Sequence, residues 1–438
     1  MTESTFFFAF FYCPYLLSYL STVRLQKSRI LLFLLCSVSF LGSIQGQLLP
    51  GLDLLEIDEI LEIPFKYVSG YIIINTEINN ALELSMIYDT GAEHTILFEK
   101  QLTDLIGLKY DKEVILKGSD LTEGIRAYIS RNISLQIGKS PRVKRDIVVL
   151  EENFLNFKEI TGTNIDGILG ARNFKNLIVN IDYKRQKLVI YHPEKFRRSL
   201  KNYTKVPVEI LNNKPYVTAN TTNSLGETYE LKLLIDTGAG LTFLLNSNEK
   251  MNINIPPNAT PGSLGKGLGG FIQGYRGKMA NLEFGNFNFT NVFTHFQKVD
   301  IPLDSIDQSF RNGIIGNLIL ERFDIFINYL EETIYFKPVR KLNKPFRYNL
   351  SGLGILAFGA TLENYIVFEV IKNSPADKIG IQKGDIIKKI GWLESKHFSL
   401  YSIEEMLSRR PGKKIKFKIK RGEELLEKII VLEDYIRL

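Results

Sequence analysis

The chain has 438 residues, 45% hydrophobic and 24% charged, an ordinary globular composition with length for two or three cored domains. A formal net charge of +7, with no arginine cluster interleaved with aromatics, argues against a nucleic-acid partner. Two cysteines and four scattered histidines supply no zinc-ligand set, so no metal and no cofactor are expected.

Residues 1–46 do not read as a folded domain. Arg24, Lys27, Ser28 and Arg29 precede an apolar run from Ile30 to Gly42, and Ser43-Ile44-Gln45-Gly46 follows. Charged, apolar, then small is the order of a secretory signal peptide. The run is shorter than the roughly 20 apolar residues that a membrane span needs. A second apolar stretch, Phe6 to Tyr19, lies upstream, and two readings are open. Either the two stretches pair as a membrane hairpin, or translation starts nearer Arg24 and residues 1–23 are a mis-assigned extension. Export to the periplasm or beyond is expected, with membrane contact only through this segment. Cys13 and Cys36 both fall here, so the exported chain would fold without disulfides.

A first folded unit is expected over residues 60–195. Tyr71 to Thr76 and Leu84 to Tyr88 read as strands, and the second runs into Asp89-Thr90-Gly91-Ala92. An apolar run ending in such a turn places a carboxylate at the end of a rigid strand. Thr95 to Phe98 continues past the turn, with His94 read as a polar residue near the site mouth. Lys117 to Gly124, with Gly118 and Ser119, has turn composition between strand-like runs. Ile165-Asp166-Gly167-Ile168-Leu169-Gly170 follows, then strands over Leu177 to Tyr183 and Lys187 to Tyr191.

Residues 205–340 repeat the pattern. Strands over Pro215 to Asn220 and Tyr229 to Ile235 lead into Asp236-Thr237-Gly238-Ala239. Asn312-Gly313-Ile314-Ile315-Gly316 then matches the first Gly-Ile-Leu-Gly, and the intervals 89–170 and 236–316 are nearly equal. Strands over Phe323 to Tyr329 and Thr333 to Phe336 close the unit. Two long units are a duplicated half-domain, since a solenoid needs more. Inside the second unit, between Ala239 and Asn312, lies a glycine-dense stretch, Gly262 to Phe271. It lacks the Gly-Lys-Ser/Thr of a phosphate loop, and it reads as a mobile flap in which Gly267, Gly269 and Gly270 permit positive φ.

A third unit is expected over residues 349–436. Ser351-Gly352-Leu353-Gly354-Ile355-Leu356 opens it. Ser374-Pro375-Ala376 starts a short helix, Gly384-Asp385-Ile386-Ile387 leads into a strand, and Ser402 to Leu407 reads as a second helix. Lys414 to Lys420 alternates charged and apolar residues, as a half-buried strand does.

Asp-Thr-Gly followed by hydrophobic-hydrophobic-Gly, all of it twice, resembles the two-lobed aspartic proteases over residues 60 to 340. Alanine after the glycine is nearer the retroviral-type branch than the pepsin branch. The third unit resembles the PDZ domain appended to bacterial exported proteases. The resemblances imply a mainly β fold: a duplicated two-lobe acid-protease β-barrel followed by a PDZ-like α+β domain. They imply an aspartic-type endopeptidase in which Asp89 and Asp236 activate a water. Thr90 and Thr237 would lock the two loops by reciprocal hydrogen bonds, and Gly91 and Gly238 would let the substrate backbone approach beside Ala92 and Ala239. Gly118, Ser119, Gly267, Gly269 and Gly270 fall where flaps are expected, although the flap tyrosine of the pepsin type is absent. Leu353, Gly354, Ile355 and Leu356 would hold a peptide's carboxylate on backbone N–H groups, the peptide adding as a strand. Expected partners are protein or peptide substrates and a peptide ligand of the PDZ unit. With both half-motifs on one chain, a monomer can form the site. The rival reading is a catalytically silent peptide-binding protein of the same fold.

Overall fold

The computed structural model describes residues 60–117, 124–153, 155–248, 252–267, 270–299, 310–340 and 342–436. The N-terminal segment read as a signal peptide, with both cysteines, lies outside these residues. Among the described residues no helix is long and apolar enough to cross a membrane.

Alternation of apolar and polar residues sets most of the strands. The first unit contains β1 (Leu61–Pro64), β2 (Lys66–Val68), β3 (Tyr71–Ile78), β4 (Leu82–Asp89), β5 (Ile96–Leu97), β6 (Lys112–Lys117), β7 (Gly124–Ile137), β8 (Val143–Leu150), β9 (Gly167–Gly170), β10 (Ile178–Asp182) and β11 (Lys187–Tyr191). The second contains β12 (Thr204–Pro207), β13 (Glu209–Leu211), β14 (Lys214–Thr222), β15 (Thr228–Ile235), β16 (Phe243–Ser247), β17 (Thr260–Gly267), β18 (Gly270–Phe284), β19 (Phe287–Lys298), β20 (Gly313–Ile315), β21 (Phe323–Asn328) and β22 (Thr333–Pro338). Met86 to Asp89 is buried on both faces, because Met86 and Tyr88 pack into the main core while Ile87 packs into a second cluster with Ile73 and Phe98. That explains why its sequence is a continuous apolar run and not an alternating one.

Two eight-stranded sheets have the same order. One runs β2-β3-β4-β9-β5-β8-β7-β6, the other β13-β14-β15-β20-β16-β19-β18-β17. In each, the strand that ends in Asp-Thr-Gly-Ala pairs in parallel with the strand of the Gly-Ile-(Leu/Ile)-Gly segment. A six-stranded sheet, β1-β11-β10-β21-β22-β12, joins the two halves through the antiparallel pair β10–β21, with Asn180 opposite Phe326. One hydrophobic core continues across this seam through Val179, Ile181, Ile325 and Ile327.

The glycine-dense stretch read as a flap is the hairpin of β17 and β18, with Gly267 opposite Gly270. Glycine weakens a strand, but here it permits close packing. A Cβ on Gly274 would stand 2.3 Å from the Phe296 carbonyl oxygen, and one on Gly262 would stand 2.7 Å from Ile371 Cδ1. Gly265 has positive φ and Gly262 does not. Gly118, Ser119 and Gly269 lie outside the described residues.

The third unit is a sheet of β23 (Leu353–Phe358), β24 (Asn364–Val370), β25 (Ile386–Ile390), β27 (Lys414–Arg421) and β28 (Glu424–Val431), in that order, with the short β26 (Leu393–Glu394) against β25. Helices Pro375–Lys378 and Leu400–Leu407 cover it around a separate core that includes Ile355, Val367, Ile387, Ile403 and Phe417. Ser374 caps the first helix, accepting from the Asp377 N–H, and Ser399 caps the second. The Gly-Asp-Ile aspartate, Asp385, is buried and receives both ends of Arg421 at 2.7 Å, which is a structural pairing.

Candidate active site

β4 and β15 deliver Asp89 and Asp236 to the same place. Both side chains are buried, and the loops behind them are locked reciprocally. The Thr90 N–H donates to Thr237 Oγ1 at 3.0 Å, and the Thr237 N–H donates to Thr90 Oγ1 at 3.0 Å. Each hydroxyl then donates to a carbonyl across the junction, Thr90 to Ile235 at 2.6 Å and Thr237 to Tyr88 at 2.8 Å. Neither threonine is exposed, so the four bonds satisfy groups that water cannot reach.

The glycines make room for the opposing carboxyls. Gly91 and Gly238 do not have positive φ, so turn conformation does not demand glycine there. A Cβ on Gly91 would stand 2.5 Å from Asp236 Cγ, and one on Gly238 would stand 2.2 Å from Asp89 Cγ. Each carboxyl therefore occupies the space that the other loop leaves by lacking a side chain. The following glycines act similarly toward backbone. Cβ atoms on Gly170 and Gly316 would fall 2.4 Å from the His94 oxygen and 2.3 Å from the Leu241 oxygen.

Polar residues that sequence reasoning did not single out support the loops. Asp166 Oδ2 accepts from the Ser85 N–H at 2.7 Å, and Asn312 Oδ1 accepts from the Lys232 N–H at 2.8 Å. Both precede the first glycine of their Gly-Ile-(Leu/Ile)-Gly segment, a correspondence visible in the repeat itself. Asn317 is fully buried; its Nδ2 donates to the Gly70 carbonyl at 2.7 Å and the Thr237 carbonyl at 2.5 Å, while its Oδ1 accepts from Tyr183 at 2.6 Å. No local pattern marks a contact between residues so far apart in the chain. Replacing Asn317 by Ala is expected to lower stability by about 2–4 kcal/mol, because it orphans buried groups of both halves. Urea unfolding with an unchanged m-value checks this.

The aspartates are chemically unequal. Burial raises the Asp89 carboxyl well above the usual range, and the charge of Asp236 raises it further, against the opposing Gly91 and Ala92 N–H bonds to Oδ1 at 2.7 and 3.0 Å. Burial also raises Asp236. There the Arg311 guanidinium, the hydrogen bond with Asp89, the Gly238 N–H at 2.8 Å and the Lys214 ammonium all favour the charged form. His94, 3.8 Å from Glu93, is held below its ordinary value chiefly by burial.

The third unit packs beside this site. The Phe157–Thr161 helix of the first half lies against β23 and the Leu400–Leu407 helix. A Cβ on Gly162, just past that helix, would stand 3.0 Å from Leu400 Cβ. The β17–β18 hairpin is tied to β24: the Ser263 N–H donates to Glu369 at 2.7 Å, Arg276 pairs with Glu369 at 3.4 Å, and Phe271 stacks on Phe368 at 5.2 Å. A cavity of about 640 Å³ has Ser69, Gly70, Gly240 and Leu318 on one side and Tyr401 and Glu404 on the other. In the Leu353–Leu356 segment, the Leu353 N–H is directed to Ser351 Oγ at 3.1 Å, and Asn349 Oδ1 takes the Ser351 and Gly352 N–H groups.

Residues 74–172 match the family model described as aspartyl protease, a stretch that contains Asp89-Thr90-Gly91-Ala92. Residues 340–431 match the one described as PDZ domain. No curated protein matches the chain.

Proposed function

We propose that this chain, which carries an aspartyl protease domain and a C-terminal PDZ domain, is an aspartic-type endopeptidase with Asp89 and Asp236 as its dyad. The observation that carries the reading is the interlocked geometry, in which each carboxyl sits over the opposing loop's glycine behind a reciprocal threonine lock. Two buried carboxyls in such apposition share a proton. Asp89 holds it, because Arg311 and Lys214 favour charge on Asp236. Asp89 Oδ1 already accepts two N–H groups, which leaves Oδ2 to carry the proton.

In the reaction, Asp236 takes a proton from water as the water oxygen bonds to the scissile carbonyl carbon. Asp89 gives its proton to the carbonyl oxygen. The proton on Asp236 then passes to the amide nitrogen as the C–N bond breaks, and the diol returns a proton to Asp89. No covalent enzyme intermediate forms. The PDZ domain is assigned to recruiting or positioning protein substrate. Because the Phe157–Thr161 helix lies against β23, a peptide adding to that strand has to displace it. The charged, apolar, small order of residues 24–46 supports an exported protein, with this segment its membrane contact.

The test is digestion of an unstructured protein mixture by the full chain across the acid-to-neutral range, with and without a statine-type inhibitor. Inhibitor-sensitive cleavage supports the reading, and its absence at every pH favours a silent binding protein. A bell-shaped kcat/KM profile is expected, with the rate falling on the acid side as Asp236 protonates and on the alkaline side as Asp89 ionises. Both limbs are displaced upward by burial. Arg311→Met removes a charge that favours ionised Asp236, so its acid limb should move to higher pH. An unmoved limb would place Arg311 outside the dyad's field.

A further inference from the structure

The two halves present different walls to the dyad. The hairpin β2–β3 turns through Ser69 and Gly70, and β13–β14 turns through Asn212 and Asn213, all four with positive φ. Tyr71 and Lys214 follow these turns, opposite Val68 and Leu211 respectively, and hold equivalent places. In the first half Tyr71 packs edge-on against Phe157 at 5.4 Å, and Phe157 stacks on Phe98 at 5.5 Å, in an apolar cluster that reaches Ala92. In the second half the cluster that reaches Ala239 is smaller, with Tyr216, Leu234, Leu244 and Ile314 at its centre. Lys214 stands at its edge where the first half has tyrosine, and the Arg311 guanidinium lies beside the Tyr216 hydroxyl.

These two cations have no ion pair within the protein's described residues. Arg311 Nε is buried without a hydrogen-bond partner. Lys214 is largely desolvated, and the carboxylates in its field are Glu93 and the dyad itself. His94, in the loop that follows Asp89, and Arg172, on the turn Ala171–Phe174 after β9, belong to the first half. Two half-buried cations beside a reaction centre, one with a buried Nε that no protein group accepts from, are favoured when an anion completes them.

We propose that Lys214 and Arg311 form a carboxylate-binding subsite beside the dyad, so that the preferred substrate carries an acidic group near the scissile bond on this side. The group is either an Asp or Glu side chain or the peptide's own terminal carboxylate. The inference rests on the peptide-hydrolysis reading. The reading is supported by Arg311 and Lys214 both acting on Asp236.

The experiment uses the full chain and matched peptides that differ only by Glu or Gln at one position, each with a free or an amidated C-terminus. The Glu peptide should show kcat/KM about tenfold above its Gln partner, and Lys214→Met and Arg311→Met should each lose that preference. Lys214→Glu should invert it toward a Lys-containing peptide, which a merely structural role would not do. Loss of preference on amidation alone identifies the terminal carboxylate as the group read. The same pairs are bound to the Asp89→Asn chain and followed by fluorescence anisotropy. Equal affinity and equal turnover for Glu and Gln peptides, free or amidated, overturn the subsite even where hydrolysis is strong. A retained acidic preference in binding, with no hydrolysis by the unmodified chain, overturns the endopeptidase reading and leaves the subsite standing.

Discussion

Asp236→Asn is expected to remove peptide hydrolysis, with kcat falling by about 10³-fold or more, the size of a positioned general base. Asp89→Asn should do the same, because the amide cannot deliver the proton that the carbonyl oxygen needs. The loss should come with a gain in stability, which separates it from misfolding. Both carboxyls are raised in the fold, Asp89 chiefly by burial and then by Asp236, and Asp236 by burial. A carboxyl whose folded pKa lies above its unfolded value contributes stability that is complete below the unfolded pKa and lost as pH rises through the folded one. The unmodified chain therefore loses stability from the ordinary carboxylate range upward. The asparagine variants do not undergo that titration, so their melting temperature should exceed that of the unmodified chain near neutral pH and converge with it in acid. Asp89→Asn should show the larger difference. Thermal melts across the pH range, run beside the kinetics, check both halves, and residual activity in either variant would contradict a shared dyad.

The second large effect is expected from one methyl group. Gly238→Ala would place a carbon 2.2 Å from Asp89 Cγ, and Gly91→Ala would place one 2.5 Å from Asp236 Cγ. Carbon atoms in contact need about 3.5–4.0 Å, so the carboxyl must retreat by more than about 1 Å. A displacement of that size at reacting groups costs about 100-fold in rate. Overpacking a closed site costs a further 1–3 kcal/mol or so of stability. The lock behind the loops cannot relax to absorb the shift, because Thr90 and Thr237 are fully buried and hydrogen-bonded across the junction. Steady-state kinetics and urea unfolding of the two alanine variants test this. A variant with unreduced kcat would mean that the carboxyls do not face each other over these glycines.

Much of the candidate site is legible in the sequence. The two Asp-Thr-Gly-Ala copies and the two Gly-Ile-(Leu/Ile)-Gly segments stand at matching intervals, and burial is written into the apolar runs before each aspartate. Those signals are local, since a strand's periodicity reports which of its faces meets the core. The PDZ order was legible for the same reason, from a capped helix at Ser374, a turn at Gly384 and alternation along Lys414 to Arg421. In the glycine-dense stretch, composition cannot distinguish glycine that frees a backbone from glycine that admits a neighbour. The neighbour here, Ile371, comes from a part of the chain with no local relation to it.

By itself, then, the sequence determined two paired half-sites, their threonines and carboxylates, and a third unit after them. Only the tertiary structure decided what Gly91 and Gly238 make room for, and that Lys214 stands where the first half has Tyr71. It alone decided that Asn317 ties Gly70, Thr237 and Tyr183 together, and that the Phe157–Thr161 helix lies against the PDZ edge strand. The reason is physical. Burial along one strand follows from its own side chains, whereas steric vacancy and electric field depend on distances between segments that only the assembled sheets bring close.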